Sequence, residues 1–347
     1  MVAPYTEPVA LPEPRLVDPA RVPSLRWGIL GPGWIADQFA STVRANTNQR
    51  IVAVASRTPG RAQAFASAHA IPLALASYEE LVAREDIDAV YVANQPTGHR
   101  DAAMLAINAG KHVLIEKPLT QVVAEAEAIF ALARERGVLA MEAMWSRYLP
   151  QFDVARQLLE AGAIGEPRLV LADFCQDNRT MARMWRPGDG SPLWDMGIYP
   201  IALCQMVLGE PTAIESRGVM TPGGMDADST TCLAYENGGR ATFTVSGVVD
   251  APHHALIAGE EGVIEFGQPF VLPSSIGLAG KGFNAPMEYW YDESGIRGHA
   301  GLAYQVTAFV DYVGRHLLES PLQTHEDSLA CLRVATAIAN QLGIRSA

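Results

Sequence analysis

The stretch Arg26–Ala36, RWGILGPGWIA, limits what this chain can fold into more than any other. Trp27, Ile29 and Leu30 form a short apolar run of the kind that parallel sheets bury. Gly31 and Gly33 interrupt it, and a helical pattern begins at Trp34. Strand, glycine turn and helix in that order make a dinucleotide site. Gly31 permits the tight turn, Gly33 lets the backbone approach a pyrophosphate, and Ala36 is small enough for helix and strand to touch. The free N–H groups and the positive dipole end of the helix then face the phosphates. Gly31, Gly33, Trp34 and Ile35 are thus the first candidate cofactor-binding residues. A glycine turn of this form also joins strand to helix in other α/β proteins, so the remaining sequence must decide.

Downstream, strand and helix patterns alternate. Apolar runs at 51–55, 89–93, 112–115 and 139–143 are separated by helical stretches. Ser77-Tyr78-Glu79-Glu80 is a capping box that opens a short helix. Gly110 ends the helix after the 89–93 strand, and Thr120 is expected to cap a long helix running to Gly137. Continuous apolar strands alternating with helices predict a parallel sheet covered on both faces. Residues 25–145 are therefore expected to form a Rossmann dinucleotide-binding domain. Residues 146–347 have a different texture, with helices at 151–160, 194–208, 304–318 and 326–342. Strand-like runs at 168–174, 213–219, 230–236, 240–246, 255–258 and 262–266 follow one another with few helices between them. Asn237-Gly238-Gly239 joins two of them as a hairpin. The fold class is α/β, with a C-terminal α+β domain built on a large, mainly antiparallel sheet. Residues 1–24 carry six prolines from Pro4 to Pro23 and predict an extended arm, either a loose tail or one lying across a neighbouring subunit or the cofactor cleft.

With 347 residues, 49% of them hydrophobic, the chain can fill two cores. No apolar run reaches the ~18 residues of a membrane helix, and no signal-peptide pattern opens the chain. The net charge of −12 argues against nucleic acid as a partner. Cys175, Cys204, Cys232 and Cys331 are scattered, as expected of reduced thiols in a cytoplasmic protein. His69, His99, His112, His253 and His254 show no ligand spacing with carboxylates or cysteines, so no metal site is expected.

Three further stretches carry chemistry. At the end of the second strand, where an acid would bind the ribose hydroxyl of NAD, stand Ser56 and Arg57, with Arg61 one turn on. A hydroxyl and guanidinium groups suit a phosphate dianion and predict NADP over NAD, with NAD still possible. Glu116-Lys117-Pro118 directly follows a strand, and such loops face the ligand crevice. Lys117, in a chain whose other lysines are Lys111 and Lys281, can polarise a substrate hydroxyl or stabilise a phenolate. Asp195 and Tyr199 are four apart on one helical face, with Gly197 leaving room beside them. A tyrosine near a lysine and a carboxylate is a proton relay, in which the ammonium is expected to favour the phenolate.

Together these motifs resemble the Gfo/Idh/MocA oxidoreductases, and the resemblance runs from Leu25 onward. Most members carry histidine at the Tyr199 position. Tyrosine there, preceded by Glu142-Ala143-Met144-Trp145-Ser146-Arg147-Tyr148, is most similar to the dimeric dihydrodiol dehydrogenase and NADP-dependent aldose dehydrogenase branch. The resemblance implies hydride transfer between nicotinamide and a sugar or polyol hydroxyl, with Lys117, Asp195 and Tyr199 catalytic. It places Gly31, Gly33 and Ile35 at the pyrophosphate and Ser56, Arg57 and Arg61 at the adenosine phosphate. Asn94, Gln95, Pro96 and His99 fall beside the cofactor, with Asn-Gln-Pro where the family has Thr-Pro-Asn. Glu116, Glu142 and Trp145 fall near the nicotinamide. Arg168, Phe174, Arg179 and Trp185 are candidates to line the substrate pocket. A homodimer or homotetramer through the exposed face of the C-terminal sheet is expected. Two other functions stay open: an enzyme that keeps NADP bound while cycling between two sugars, as glucose–fructose oxidoreductase does, and a non-enzymatic NADP-binding sensor.

Overall fold

Buried β-branched and aliphatic residues draw the N-terminal strands into a six-stranded parallel sheet of order β3-β2-β1-β4-β5-β6. The computed structural model describes residues 11–282 and 284–345. Its strands are β1 (Arg26–Leu30), β2 (Arg50–Ala55), β3 (Leu73–Leu75), β4 (Ala89–Val92), β5 (His112–Glu116) and β6 (Ala140–Ala143). The helices between them are α1 (Trp34–Asn46), α2 (Arg61–His69), α3 (Tyr78–Val82), α4 (His99–Asn108) and α5 (Val123–Arg136). The strand order reverses between β1 and β4, so the carboxyl ends of these two strands frame a crevice. The short β3 is an edge strand that the sequence pattern does not reveal.

Helix caps follow local chemistry. Ser77 accepts the Glu80 N–H at 3.0 Å, and the Glu80 carboxylate reaches back to Ala76 rather than to Ser77. Gly137 closes α5 in a left-handed conformation, as its lack of a Cβ allows. The expected Thr120 cap is not formed. The Thr120 hydroxyl is buried and donates to the Val122 carbonyl at 2.8 Å, so α5 starts only at Val123.

The C-terminal part contains α6 (Pro150–Glu160), β7 (Pro167–Cys175), α7 (Ile198–Leu208) and β8 (Ala213–Met220). Next come β9 (Asp226–Ala234), β10 (Arg240–Ser246), β11 (Ala255–Gly259) and β12 (Gly262–Phe266). The chain ends with β13 (Ser275–Gly280), β14 (Met287–Tyr291), α8 (Leu302–Gly314) and α9 (His325–Leu342). Its eight strands form one sheet of order β14-β13-β12-β11-β7-β10-β9-β8. The sheet is antiparallel except where β7 runs parallel to β10, in register from Leu169↔Arg240 to Cys175↔Ser246. Strands β13 and β14 escape the sequence pattern because Gly277 and Gly280 break the first and the second lies largely exposed.

The expected continuous helix from Trp194 is also corrected. Leu193–Gly197 is a π-helical turn that leads into α7. Pro200 lies five residues after Asp195 and has no N–H, so the π register leaves the Asp195 carbonyl without that backbone donor.

Residues 1–10 of the proline-rich arm lie outside the described residues. Residues 11–24 contain no helix or strand, and their hydrogen bonds reach α6, β14 and the segment before β2. Arg15 bonds Asp153 and Glu160 of α6, and Glu13 accepts from Trp290 of β14 at 3.2 Å. Helix α8 crosses back to the parallel sheet, where Phe309 packs on Trp27 of β1 at 4.9 Å between ring centroids. No helix among the described residues is long and apolar enough to cross a membrane.

Gly31 has φ +94°, and a Cβ there would stand 2.6 Å from the Asn94 Cα. Backbone conformation and space therefore both exclude a side chain. Gly31→Ala is expected to lower stability by about 2–4 kcal/mol, checked by urea denaturation. An unchanged midpoint would show that the turn can relax.

Candidate active site

The site is built on loops at the carboxyl ends of β4, β5 and β6, closed from the far side by the π-helical turn and α7. Glu116 ends β5, and Lys117 and Pro118 follow, joined by a cis peptide bond. Lys117 Nζ donates to the Asp195 carbonyl at 2.7 Å and to Asp195 Oδ1 at 3.3 Å. The same ammonium lies 5.0 Å from the centre of the Tyr199 ring. Asp195 Oδ2 is paired with Arg183 Nη2 at 2.6 Å. Trp145, in a short turn after β6, donates its indole N–H to the Tyr199 phenolic oxygen at 2.8 Å. Lys117, Asp195 and Tyr199, chosen from the sequence, thus meet in one place.

Burial sets the charge states here. It raises the Tyr199 phenol above its ordinary value, and the Lys117 ammonium offsets this only in part. Lys117 thus favours the phenolate, as expected from the sequence, but burial outweighs it. For Lys117, burial works against the charge, but Tyr199, Asp195 and Glu116 outweigh it and hold the amine above its usual range. Burial would likewise raise the Asp195 carboxyl, yet Lys117 and Arg183 together hold it below the ordinary carboxylate value. Burial dominates at Glu116, which is pushed up to about 7 although Tyr91 hydrogen-bonds it and Lys117 lies beside it. Glu142 Oε1 accepts the Leu119 N–H at 3.1 Å, and burial raises this carboxyl as well.

The remaining candidates divide. The His99 ring is buried, with Nδ1 3.0 Å from the Pro118 carbonyl and Nε2 3.1 Å from that of Asn94. It braces the loop carrying Lys117 against the loop after β4. Asn94 packs on Gly31, while Gln95 is exposed and Pro96 half-buried. Phe174 stands beside Tyr199 with 5.5 Å between ring centroids. Trp185 donates to the Asn178 carbonyl at 3.0 Å and would touch a Cβ on Gly247 at 2.7 Å.

Arg168 is corrected. It begins β7, at the opposite end from Phe174, and is tied to Glu260 at 2.6 Å and to the Asn237 carbonyl. Arg179 is exposed and folds onto Asp177 at 2.6 Å. The arginine that does reach Asp195 is Arg183. Nothing in the sequence separates it from Arg179 and Arg186 in the same loop. His299 is the other residue the sequence reading missed. Its ring stacks on Trp145 at 5.5 Å.

The crevice fits a dinucleotide. Gly33 caps α1 without a side chain, which leaves the first N–H groups free of a side-chain partner. A Cβ on Gly33 would meet nothing closer than the Ala93 carbonyl at 3.9 Å, so the mouth of the turn is open. Asn94 Oδ1 is buried without a partner beside it. Ser56, Arg57 and residues 58–60 line a hollow of about 230 Å³ at the end of β2. Arg61 spans from α2 to the Pro32 carbonyl at 3.0 Å, between hollow and glycine turn.

A phosphate-binding turn, an ammonium, a carboxylate and a buried phenol at the ends of parallel strands define a nicotinamide-dependent oxidoreductase. Residues 25–144 match the family model described as an oxidoreductase family with an NAD-binding Rossmann fold. Residues 152–265 match the GFO/IDH/MocA C-terminal domain. The trans-1,2-dihydrobenzene-1,2-diol dehydrogenase of Bos taurus is 31% identical over 331 residues, covering 92% of this chain and 98% of the relative. The Homo sapiens enzyme of the same name is 30% identical over 326 residues, covering 92% and 98%. Among solved structures, a 3-ketoreductase from Actinomadura kijaniata in complex with NADP and TDP-benzene is 27% identical, with a TM-score of 0.79 over 93% of this chain and 99% of that one. Levoglucosan dehydrogenase, solved with NADH and levoglucosan, shares the fold at a TM-score of 0.83 and 18% identity, over 92% and 97% of the two chains. The chain belongs to the Gfo/Idh/MocA oxidoreductase family, and its cofactor is a nicotinamide dinucleotide.

Proton counting gives a pH prediction for the cofactor-free chain. Glu116 has an ordinary value of 4.5 and a folded value of about 7, so within that window the folded chain holds a proton that the unfolded chain has lost. Stability from this group is therefore present at low pH and lost as pH rises toward 7. Glu116→Gln is expected to lose less stability than the wild type between pH 5 and pH 8, measured by urea midpoints. Equal losses would mean that Glu116 ionises without penalty.

Proposed function

We propose that this chain is an NADP-preferring dehydrogenase and reductase acting on a secondary hydroxyl or carbonyl of a sugar, polyol or vicinal diol. The observation that carries this reading is the convergence of Lys117, Asp195 and Tyr199, with the Tyr199 oxygen held by the Trp145 N–H. The names of the relatives, diol dehydrogenases and a ketoreductase, support it. A bound nicotinamide would supply the hydride donor or acceptor. In reduction, Tyr199 passes its phenolic proton to the carbonyl oxygen. Lys117 and the Trp145 N–H stabilise the phenolate that results. In oxidation the phenol must first lose its proton, and the substrate hydroxyl then gives its own to the phenolate oxygen. Asp195 accepts from a neighbouring hydroxyl while Lys117 and Arg183 keep it ionised. Burial raises the Tyr199 phenol, so the partial offset from Lys117 and the hydrogen bond from Trp145 are what keep its proton transferable in either direction.

Ser56, Arg57 and Arg61 would hold the adenosine phosphate, which favours NADP. Arg57 lies over the Tyr78 ring at 5.2 Å, a contact that fixes its guanidinium at the edge of the hollow. A homodimer is proposed through the open face of the large sheet, where Leu169, Leu171, Leu256 and Val263 are only half-buried. Size-exclusion chromatography with light scattering checks this, and a monomer would refute it.

Initial rates with aldoses, ketoses and trans-diols, with NADP⁺ and NADPH and with the NAD pair, test the activity. Tyr199→Phe is expected to lower kcat by ~10²–10⁴-fold while NADPH affinity stays within about twofold. Arg57→Ala is expected to raise KM for NADP by about tenfold and leave KM for NAD unchanged. Turnover unchanged in Tyr199→Phe would remove the phenol from the chemistry, and a wild type more efficient with NAD would overturn the cofactor preference.

A further inference from the structure

One aromatic contact crosses from the parallel sheet's first helix to the catalytic phenol, and its central residue belongs to neither motif. His299 sits in the Gly298–Gly301 turn that precedes α8. Its ring meets the Trp34 indole edge-on, with centroids 4.8 Å apart, and lies over Trp145 at 5.5 Å and 20°. Trp34 is the first residue of α1, directly after the open Gly33 cap, and is 62% exposed. Trp145, at the other end, is the indole bonded to the Tyr199 oxygen. The row of rings therefore begins at the glycine turn that would hold the pyrophosphate and ends at the phenol beside which hydride would be exchanged. Between those points lies the path of the nicotinamide and its ribose.

The turn is held for this purpose at two places. The Thr42 hydroxyl of α1 donates to the His299 carbonyl at 3.3 Å. A Cβ on Gly301 would stand 3.0 Å from the Trp145 ring and 2.7 Å from Pro273, so only glycine lets the turn lie this close. Burial, reinforced by Lys117, lowers the His299 imidazole, which stays neutral and able to stack at neutral pH.

We propose that His299, with Trp34 and Trp145, forms an aromatic clasp that closes over the nicotinamide–ribose half of the bound dinucleotide. The proposal rests on the cofactor site described above and assigns His299 to holding one half of the ligand. Adenosine-end recognition by Ser56, Arg57 and Arg61 is independent of it. Loss of the clasp weakens the whole dinucleotide but leaves a ligand that lacks both nicotinamide and its ribose untouched.

Dissociation constants for NADPH and for adenosine 2′,5′-bisphosphate, which lacks the nicotinamide, its ribose and the second phosphate, measured by calorimetry on the full chain, separate the two halves. His299→Ala and Trp34→Ala are each expected to weaken NADPH by about 3- to 10-fold and to leave adenosine 2′,5′-bisphosphate within about twofold. His299→Phe, which keeps a ring, is expected to restore NADPH binding. Trp34 is exposed, so its variant tests the clasp even where His299→Ala folds poorly. Equal weakening of both ligands, or of neither, overturns the proposal. So does a changed substrate KM with unchanged NADPH affinity, which would give the aromatic row to the substrate. A wild type that binds neither ligand overturns the cofactor site itself, and the clasp with it.

Discussion

The Lys117 ammonium is the contact on which the active-site half of the molecule depends. It leaves the parallel sheet at the end of β5 and ends on the carbonyl and carboxylate of Asp195, 78 residues later in the chain. A charged group so enclosed must be paired and hydrogen-bonded to persist. Asp195 can meet that demand because its helix opens in a π register above Pro200, which has no N–H to give the Asp195 carbonyl. One missing backbone donor thus frees the acceptor that fixes the amine beside Tyr199. Arg183 completes the balance on the other carboxylate oxygen. Removing either basic partner would leave the other to hold Asp195 ionised against its burial.

This arrangement determines which proton is available. The phenol is buried beside Phe174 and under Trp145, and no ion pair reaches its oxygen directly; the indole N–H does. An N–H donor stabilises a phenolate once formed, while leaving the phenolic hydrogen free to point at a substrate oxygen. Lys117 lies over the ring and adds a field that grows in value as charge develops. The pocket is therefore less suited to storing a phenolate than to stabilising one during the transfer.

Much of this was legible in the sequence because it is local. The glycine turn, the alternation of apolar strands with helices, the Ser77 cap and the Asp195–Tyr199 spacing all depend on residues close in the chain. Arg57 and Lys117 could be placed from the strand each one follows. What could not be read depends on contacts between distant segments. Arg183 and Arg168 look alike in sequence, yet one faces Asp195 and the other a surface glutamate at the far end of β7. The Thr120 hydroxyl has the chemistry of a cap, but its burial turns it into a donor. His299 lies more than 150 residues after Trp145, and only the return of α8 to the parallel sheet brings them together. The phenol shows the same division: the lysine that favours its ionised form is visible in the sequence, and the depth of burial that opposes it is not.

The return of α8 also explains why the acid at the bottom of the site is so strongly perturbed. Phe309 of α8 packs on Trp27 of β1, Trp27 on Phe39 of α1, and Phe39 stacks on Tyr91 of β4 at 3.9 Å. Tyr91 in turn hydrogen-bonds Glu116. A continuous row of rings thus runs from α8 to the carboxyl below Lys117. On the Tyr91 side, the burial that raises Glu116 is backed by this stack, which reaches a helix near the end of the chain. A change that loosened Phe309 against Trp27 would let water approach Tyr91 and lower the Glu116 carboxyl toward its ordinary value, without touching any residue that meets the ligand.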